Sequence, residues 1–464
     1  MTSIAVEKPN QAQPNTVPPI LTAPVAPLFI RMAMPIIFGL MINGLFNFVD
    51  AIFISQAVGT YAIGGVSAAF PIQMIMISMS AMLGSGMASI ISRRLGADLD
   101  EDASQVFSAS MMLAALLGLI FSLLIVFFRY EIFALLQLPA ALLPHAIAYL
   151  TPIAAIGLIS FCHGSMSECL RAQGLNGQVF KLMASMAILN IILDALFLFV
   201  FNWGVPGAAW ATAISITSAF FYAFYLLRTG NHRVRFTLSQ FKLIPDIHKE
   251  ALALGLPVFL SYTGFAMMLM MVNIALVKVG GDQAELLISA HGILNRTFML
   301  IFLPVLGMMI AFQTFAGFNY GAMRYKRVFE VLKVALVISS IYSLIWSLIM
   351  IFFSEFLFQL FSADNALINS ASDIASIVFI GFTTTGIAMI CPALFQAIGY
   401  AKPAIILNAL HNYVLLLPTL IIFSSIFSVN GIWWTFPLID VMSALIIAIY
   451  TWRIIQKFNS KASF

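Results

Sequence analysis

The segment "LNIILDALFLF", residues 189–199, places a carboxylate inside an otherwise apolar run. Nine of its eleven residues are apolar, and the two polar ones, Asn190 and Asp194, stand four positions apart. Residues with that spacing share one face of an α-helix. A charged group inside a membrane helix needs a cavity, a polar partner or a bound ion. The segment therefore predicts a membrane helix with one functional polar face.

The composition of the whole chain excludes a water-soluble globule. Of its 464 residues, 62% are hydrophobic and 9% are charged, and the mean hydropathy is +1.02. Soluble domains carry about 25% charged residues. Apolar runs of about 20 residues recur along the chain, which predicts an all-α polytopic membrane protein. Cys162, Cys169 and Cys391 lie in or beside such runs and suggest neither a disulfide framework nor a metal site.

Polar or Gly/Pro-containing turns divide the apolar runs into twelve predicted spans. The polar, proline-rich residues 1–26 lack the features of a signal peptide and are expected to form a flexible tail. The predicted spans are 28–55, 64–92, 104–128, 142–166, 179–202, 206–227, 250–277, 286–314, 329–353, 371–393, 402–424 and 431–453.

The basic residues predict the orientation of these spans. With the N-terminus in the cytoplasm, 19 of the 22 Lys and Arg residues fall on the cytoplasmic side, Arg129 and Lys278 fall outside, and Arg296 lies within a span. Lys and Arg concentrate in cytoplasmic loops, so both termini are predicted to be cytoplasmic. The net charge of +4 then reflects topology, and we expect no nucleic-acid partner.

The chain divides into two six-span lobes, predicted at 27–228 and 250–453, with a cytoplasmic linker at 229–249 and a cytoplasmic tail at 454–464. The halves are weakly similar to each other. Gly96 aligns with Gly321 and Gly174 with Gly399, and both pairs have the same offset in the sequence, which we call the repeat offset. Two halves repeated in the same orientation predict a pseudo-twofold axis along the membrane normal, which is typical of transporters with a central cavity.

Four polar residues of the N-terminal half are predicted to form a cation or proton site. At about 1.5 Å of rise per residue, Asp50, Asp194 and Thr212 all lie about 8–12 Å below the outer surface. Asn190 lies one turn further in. Oxygen ligands suit Na⁺, and two neighbouring carboxylates can hold a proton between them. A Na⁺ site is therefore possible at Asp50, Asn190, Asp194 and Thr212.

The ionisable residues of the spans also have structural interpretations. Asp194 could cap a kink or pair with Arg296, and Asp50 could be a residue near the surface. For Asp440, structural pairing and substrate contact are both open, and the partner of Arg296 is not defined by the sequence. Glu168 lies near the inner end of span 4. His163 and His291 are expected to be bundle histidines with satisfied hydrogen bonds rather than proton relays.

Five stretches together resemble the multidrug and toxic compound extrusion (MATE) transporters, over residues 25 to 455. The "FNYGA" form within the last of them is closest to a bacterial multidrug branch, which implies a bacterial inner membrane protein. These stretches are "NFVDAIFISQAVGTYAIGGVSAAFP" (47–71), "GSGMASIISRRLGA" (84–97), "ILNIILDALFLF" (188–199), "WGVPGAAWATAIS" (203–215) and "FQTFAGFNYGAMRYKRVF" (312–329).

The resemblance implies export of bulky, often cationic amphipathic compounds against Na⁺ or H⁺. It matches Asp50 to the span 1 carboxylate, Asn190 and Asp194 to the span 5 pair, and Thr212 to the span 6 hydroxyl. Some branches carry an essential acid in span 7, and this chain has none there, so coupling is expected in the N-terminal half. We expect a monomer that exports small-molecule drugs or toxic compounds, with no cofactor apart from the coupling ion.

Other functions fit the sequence less well. A lipid-linked sugar flippase or polysaccharide exporter of the same superfamily is the main alternative, but its cavity would need several basic residues for phosphates, and only Arg296 lies deep in a span. A membrane enzyme is not expected, because no metal cluster, nucleophile elbow or phosphate loop is evident. A channel does not need the duplicated design.

Overall fold

A computed structural model of the chain describes residues 18–58, 60–135, 138, 141–230, 232–359 and 364–462. Ten helices in these ranges are long and apolar enough to cross a membrane, and a bent helix pair provides an eleventh span. The last of the ten, Ala401–Gln456, contains a break at Ser428, which divides it into two spans. The prediction of twelve spans is therefore confirmed.

The twelve spans have these bounds, with spans 4 and 10 each built from two helices. They are span 1 Val25–Val58, span 2 Thr60–Gly96, span 3 Asp100–Phe127, span 4 Leu143–Ala155 and Gly157–Ala172, span 5 Asn176–Ala195 continued by a π-helical turn Leu196–Val200, and span 6 Val205–Thr229. Span 7 is Pro245–Val279, span 8 Ala284–Gly321, span 9 Tyr325–Phe352, and span 10 Asn365–Phe382 and Thr385–Ala397. Span 11 starts with Ala401–Ala409 and a π-helical turn Leu410–Leu416, and the segment Leu417–Ala462 completes it and forms span 12 after Ser428.

The backbone repeats itself at the offset that the glycines predicted. Gly174 and Gly399, which are related by the repeat offset, end spans 4 and 10 with φ angles of 78° and 86°. Asp98 and Met323 have the same offset, and both have φ 57° in the turns after spans 2 and 8. Because a positive φ is uncommon outside glycine, these paired turns show that the two lobes share one chain path.

The contact between the lobes is reciprocal. Gly96 packs so closely on Phe318 that a Cβ would collide with the carbonyl oxygen, and Gly321 packs in the same way on the carbonyl oxygen of Arg93. The repeat offset relates Phe318 to Arg93 and also relates Gly321 to Gly96. In a twofold interface, if residue i of one half contacts residue j of the other, then residue j of the first half contacts residue i of the second. The predicted pseudo-twofold arrangement is confirmed.

Polar contacts join the lobes at the end of the bundle that holds the turns 97–99 and 322–324, which we call the closed end. The amide of Gln396 donates to the Ser85 hydroxyl of the N-terminal lobe at 2.8 Å, and within its own lobe to the Leu254 carbonyl at 2.7 Å. Arg93 forms an ion pair with Glu250 at 2.8 Å. The opposite end, with the turns 201–204 and 280–283, is the open end.

A short helix, Pro19–Thr22, precedes span 1 and is bound to the C-terminal lobe. Arg324 donates to the Leu21 carbonyl at 2.7 Å, and Arg327 donates to the Ala23 carbonyl. Part of the predicted flexible tail is therefore ordered against the turn between spans 8 and 9. Residues 1–17 of that tail lie outside the described residues.

The segment between the lobes is bound to the N-terminal lobe. Arg233 forms ion pairs with Asp98 at 2.8 Å and Asp100 at 2.6 Å, and the Val234 N–H donates to the Gln173 side chain at 3.2 Å. Span 6 ends at Thr229 and span 7 begins at Pro245. At the other end of the chain, the helix of span 12 continues into the predicted tail as far as Ala462.

Candidate functional site

Spans 1 and 5 pack in parallel and keep a constant offset in the sequence. The Asn176 amide donates to the Met32 carbonyl at 3.0 Å, and Gly39 packs against the Met183 side chain. Both contacts join residues that are 144 positions apart. Asp50 and Asp194 have the same separation, so the packing of the two helices brings them to the same depth in the lobe.

Asn190 links span 5 to span 6. With its Nδ2 donating to Asp194 Oδ2 at 2.9 Å, its amide oxygen accepts from both the Thr212 hydroxyl and the Thr212 N–H at 3.2 Å. The reverse amide orientation has Nδ2 donating to the Thr212 hydroxyl at 3.2 Å and leaves Asp194 without this donor. We adopt the first orientation because it satisfies both neighbours.

The local sequence explains why these side chains meet. Span 6 begins after Gly204, whose φ of 63° turns the chain back from span 5. Small buried residues, Gly207, Ala208 and Ala211, follow on the first turns of span 6 and allow close helix packing. Asp194 lies just before the π-helical turn Leu196–Val200, and turns of that kind occur often at functional sites.

The site is buried and rich in unpaired oxygens. Asp50 is 7% exposed and Asp194 is fully buried. One oxygen of each carboxylate, Oδ1 in both, has no hydrogen-bond partner in the described part of the chain. The charges of Asp50 and Asp194 interact with each other and with the hydroxyl of Tyr149, which span 4 contributes. Buried unpaired carboxylate oxygens are costly unless a cation or proton reaches them.

The donor set favours a hard cation or a proton. No group of three or more His, Cys, Asp or Glu side chains suited to a metal ion occurs among the described residues. The cluster combines two carboxylates with an amide and a hydroxyl, and such oxygen ligands suit hard cations better than soft transition metals. Asp50, Asn190, Asp194 and Thr212 would hold the ion. The last three are in direct hydrogen-bonded contact, and Asp50 lies at the same depth.

Two residues of this region were missed by the sequence reasoning. Tyr149 gives no signal in the sequence, because a tyrosine in an apolar span is more often a packing residue. Ser215 is buried, and its hydroxyl has no partner in the described part of the chain. It follows Thr212 by three positions, so the helical period could have placed both hydroxyls on one face.

Asp440 pairs within its own lobe. Its carboxylate lies 3.7 Å from His411 Nε2, and the other ring nitrogen of His411 lies 2.9 Å from the Ser443 hydroxyl. His411 belongs to the π-helical turn of span 11, whereas Asp440 and Ser443 belong to span 12. Of the two interpretations of Asp440, this geometry favours structural pairing.

Arg296 is exposed and has no hydrogen-bond or ion-pair partner among the residues that the structure describes. The described residues therefore contain no pairing between Arg296 and Asp194. Glu168 forms an ion pair with Arg171 on the next turn of span 4. His291 lies against the ring of Trp433 at 5.8 Å between ring centres, as expected for a bundle residue.

Two curated bacterial proteins are similar to the chain over most of its length. The Multidrug export protein MepA of Staphylococcus saprophyticus is 24% identical over 418 residues, which cover 89% of this chain and 91% of that protein. The Probable multidrug resistance protein YpnP of Bacillus subtilis (strain 168) is 25% identical over 411 residues, or 87% of this chain and 89% of that protein.

Solved structures share the fold. A structure described as the outward-facing conformation of a multidrug resistance MATE family transporter of the MOP superfamily has a TM-score of 0.89 at 24% identity, covering 95% of this chain and 98% of that one. A structure of MATE in the bent conformation also has a TM-score of 0.89 at 24% identity, covering 96% and 98%.

The MatE family model matches residues 35–196 and 257–422, one stretch in each lobe. These stretches contain Asp50, Asn190 and Asp194, and they cover more than half of the chain. The chain belongs to the MatE family of multi-pass membrane transporters.

Proposed function

We propose that the chain is a secondary active multidrug exporter, which moves bulky amphipathic compounds out of the cell against inward flow of Na⁺ or H⁺. Similarity to proteins named as multidrug export and multidrug resistance proteins supports the drug substrates. The two-lobe fold, bonded at one end and parted at the other, supports alternating access. We expect a monomer in the bacterial inner membrane.

The observation that carries the coupling proposal is the buried cluster of Asp50, Asn190, Asp194 and Thr212. It holds two carboxylates, and no basic side chain takes part in the hydrogen bonds that join its described residues. In a membrane interior, such a pair is stable when a cation or a proton is bound. Binding and release of that ion on the two sides of the membrane would then bias the lobes between their two arrangements.

The distribution of basic residues supports an orientation in which the closed end faces the cytoplasm. Arg93, Arg94, Arg324, Lys326 and Arg327 all lie at this end, and positive residues favour the cytoplasmic side. In this orientation the open end faces outwards, and the ion site is reached from the side where Na⁺ and H⁺ are at higher electrochemical potential.

The direct test is efflux of amphipathic dyes from vesicles under imposed Na⁺ or pH gradients, with wild type compared with Asp194→Asn. We expect the variant to lose gradient-driven efflux. Asp373→Asn is the matched control, because Asp373 is an exposed carboxylate on span 10, away from the cluster. Unchanged efflux in Asp194→Asn would contradict coupling at this site, and wild type that exports no dye under either gradient would contradict the exporter.

A further inference from the structure

The face of span 8 that meets the N-terminal lobe is packed near the closed end and exposed near the open end. Gly307 lies against Ile37, and Leu303 lies against Gly44. Towards the open end, Leu300 is 43% exposed, and a Cβ at Gly292 would meet open space. The two lobes therefore part between Leu303 and Leu300.

Arg296 lies on this same face. It precedes Leu303 by seven residues and Gly307 by eleven. At 3.6 residues per turn, both steps are within about 20° of whole turns, so the three positions lie on nearly the same face of the helix. Since Leu303 and Gly307 face span 1, Arg296 faces the space that opens beyond them.

That space is a cleft between the lobes, because span 8 lies between spans 1 and 2 on one side and spans 9 and 10 on the other. Spans 2 and 7 show the same change along their shared interface. Gly255 packs closely on Met82 near the closed end. Asn273, five turns further along the same face of span 7, is exposed, and Ile75, two turns from Met82, is 47% exposed.

Arg296 is level with the acidic cluster but on the other wall of the cleft. Spans 1 and 8 are antiparallel, so the seven residues from Leu303 to Arg296 correspond to about seven residues beyond Gly44, which is the level of Asp50. Asp50 itself is buried on a face of span 1 that is turned by about 120° from Gly44. The cleft thus presents a cationic group from the C-terminal lobe, while the carboxylates remain buried in the N-terminal lobe.

Only the C-terminal lobe carries a positive charge at this position of the cleft. The repeat offset relates Arg296 to Pro71 on span 2, so the N-terminal lobe has no equivalent charge at that position. A guanidinium exposed in a water-filled cleft binds carboxylate, sulfonate or phosphate groups through paired hydrogen bonds, and it repels a second positive charge. We infer that the exported compounds are amphipaths that carry an acidic group, and that Arg296 binds this group. The inference rests on the proposed exporter function and narrows its substrate class from bulky amphipathic compounds in general to zwitterionic or anionic ones.

Binding of two matched dyes tests the role of Arg296. The purified full chain, in nanodiscs of zwitterionic lipid, is titrated with a rhodamine that bears a free carboxylate and with its methyl ester, and fluorescence polarisation reports both affinities. We expect wild type to bind the free acid at least about tenfold more tightly than the ester, as for a charge-assisted hydrogen bond. Arg296→Gln is expected to remove this preference while the ester affinity stays unchanged, and Arg296→Lys to keep part of it.

Lys278→Gln is the matched control, because it removes one positive charge from an exposed position at the open end of span 7. It is expected to keep the preference for the acid. Equal affinity of wild type for acid and ester, or a preference that survives in Arg296→Gln, would overturn the inference. Equal loss of both affinities in Arg296→Gln would also overturn it, since the residue would then act on the fold.

A last arm separates the exported compound from membrane lipid as the source of the acidic group. Addition of phosphatidylglycerol to the nanodiscs is expected to leave the preference intact, and its loss would assign Arg296 to a lipid headgroup and overturn the inference. The measurement uses no ion gradient. A failure of both dyes to leave vesicles in the efflux assay would therefore count against the exporter function alone.

Discussion

Asp50 and Asp194 lie at one depth because spans 1 and 5 pack in parallel with a fixed separation of 144 positions, as the hydrogen bond from Asn176 to Met32 shows. Neither carboxylate depends on a flexible loop for its position. Each is placed by a long helix that packs along the other, so the packing of the two helices sets the position of both carboxylates.

The two carboxylates are expected to act as one unit. Asp50→Asn and Asp194→Asn should each lower ion-driven efflux by about tenfold or more, since a charged ligand contributes about 1.5–3 kcal/mol. The efflux rate of the double variant should be no lower than that of the slower single variant, because the first substitution already removes the carboxylate pair. Efflux rates for all four proteins at matched expression measure this, and strictly multiplicative losses would show that the residues act independently.

The Thr212 hydroxyl is expected to tune ion affinity through Asn190. Thr212→Val removes one of the two donors to the Asn190 amide oxygen, a loss of about 1 kcal/mol, and should weaken ion activation of efflux about fivefold. Thr212→Ser should restore it. Thr217→Val is the control, since that hydroxyl donates to the Ala213 carbonyl of its own helix, at 2.8 Å. Equal effects of the two valine variants would contradict the specific role of Thr212.

Gly86 is expected to be required for closure of the lobes. A Cβ at this position would collide with the Ala251 carbonyl across the interface. Gly86→Ala should therefore separate the lobes at the closed end, seen as a longer distance between spin labels at Leu99 and Met323. Gly177→Ala is the control, because a Cβ there meets nothing within 4 Å. Label distances that are the same in Gly86→Ala and wild type would contradict this prediction.

The break between spans 11 and 12 is expected to be strained. Ser428 has φ 54° and ψ −135°, and Gly204 occupies the matching turn between spans 5 and 6 with φ 63° and ψ −148°. That backbone region costs a non-glycine residue about 1–3 kcal/mol. Ser428→Gly should raise the thermal stability of the purified protein, and Gly204→Ser should lower it. A lower melting temperature for Ser428→Gly than for wild type would contradict the prediction that the backbone at Ser428 is strained.

Sequence periodicity and composition were enough to predict the spans and the repeat, because lipid leaves a chain few options for its backbone. They also brought together Asn190 and Thr212, since depth counted along two neighbouring spans places both in the outer half of the membrane. The contact between His411 and Asp440 was beyond reach, because the break at Ser428 decides how spans 11 and 12 face each other. The spacing of residues along each helix does not predict the relative orientation of the two spans.

The relative position of the lobes was equally hidden in the sequence. Gln396 meets Ser85 across 311 positions of chain, and no local pattern announces such a contact. The exposure of Arg296 follows from this arrangement, so its place in the cleft required the structure. The roles of the four cluster residues in ion binding remain predictions for the efflux experiments.

The short helix Pro19–Thr22 gives span 1 a second attachment. By sequence it leads into the N-terminal lobe, but Arg324 and Arg327 fasten it to the C-terminal lobe, and only Ala23 and Pro24 separate it from span 1. A linker of two residues is too short to absorb a movement between the helix and span 1. When the lobes separate at this end, the hydrogen bonds from Arg324 and Arg327 must either break or pull span 1 along its axis. Span 1 lacks one backbone hydrogen bond at Pro35 and carries Asp50 near its other end. The start of span 1 is thus coupled to the C-terminal lobe, whereas the part that carries Asp50 packs in the N-terminal lobe, so movement between the lobes is transmitted along span 1.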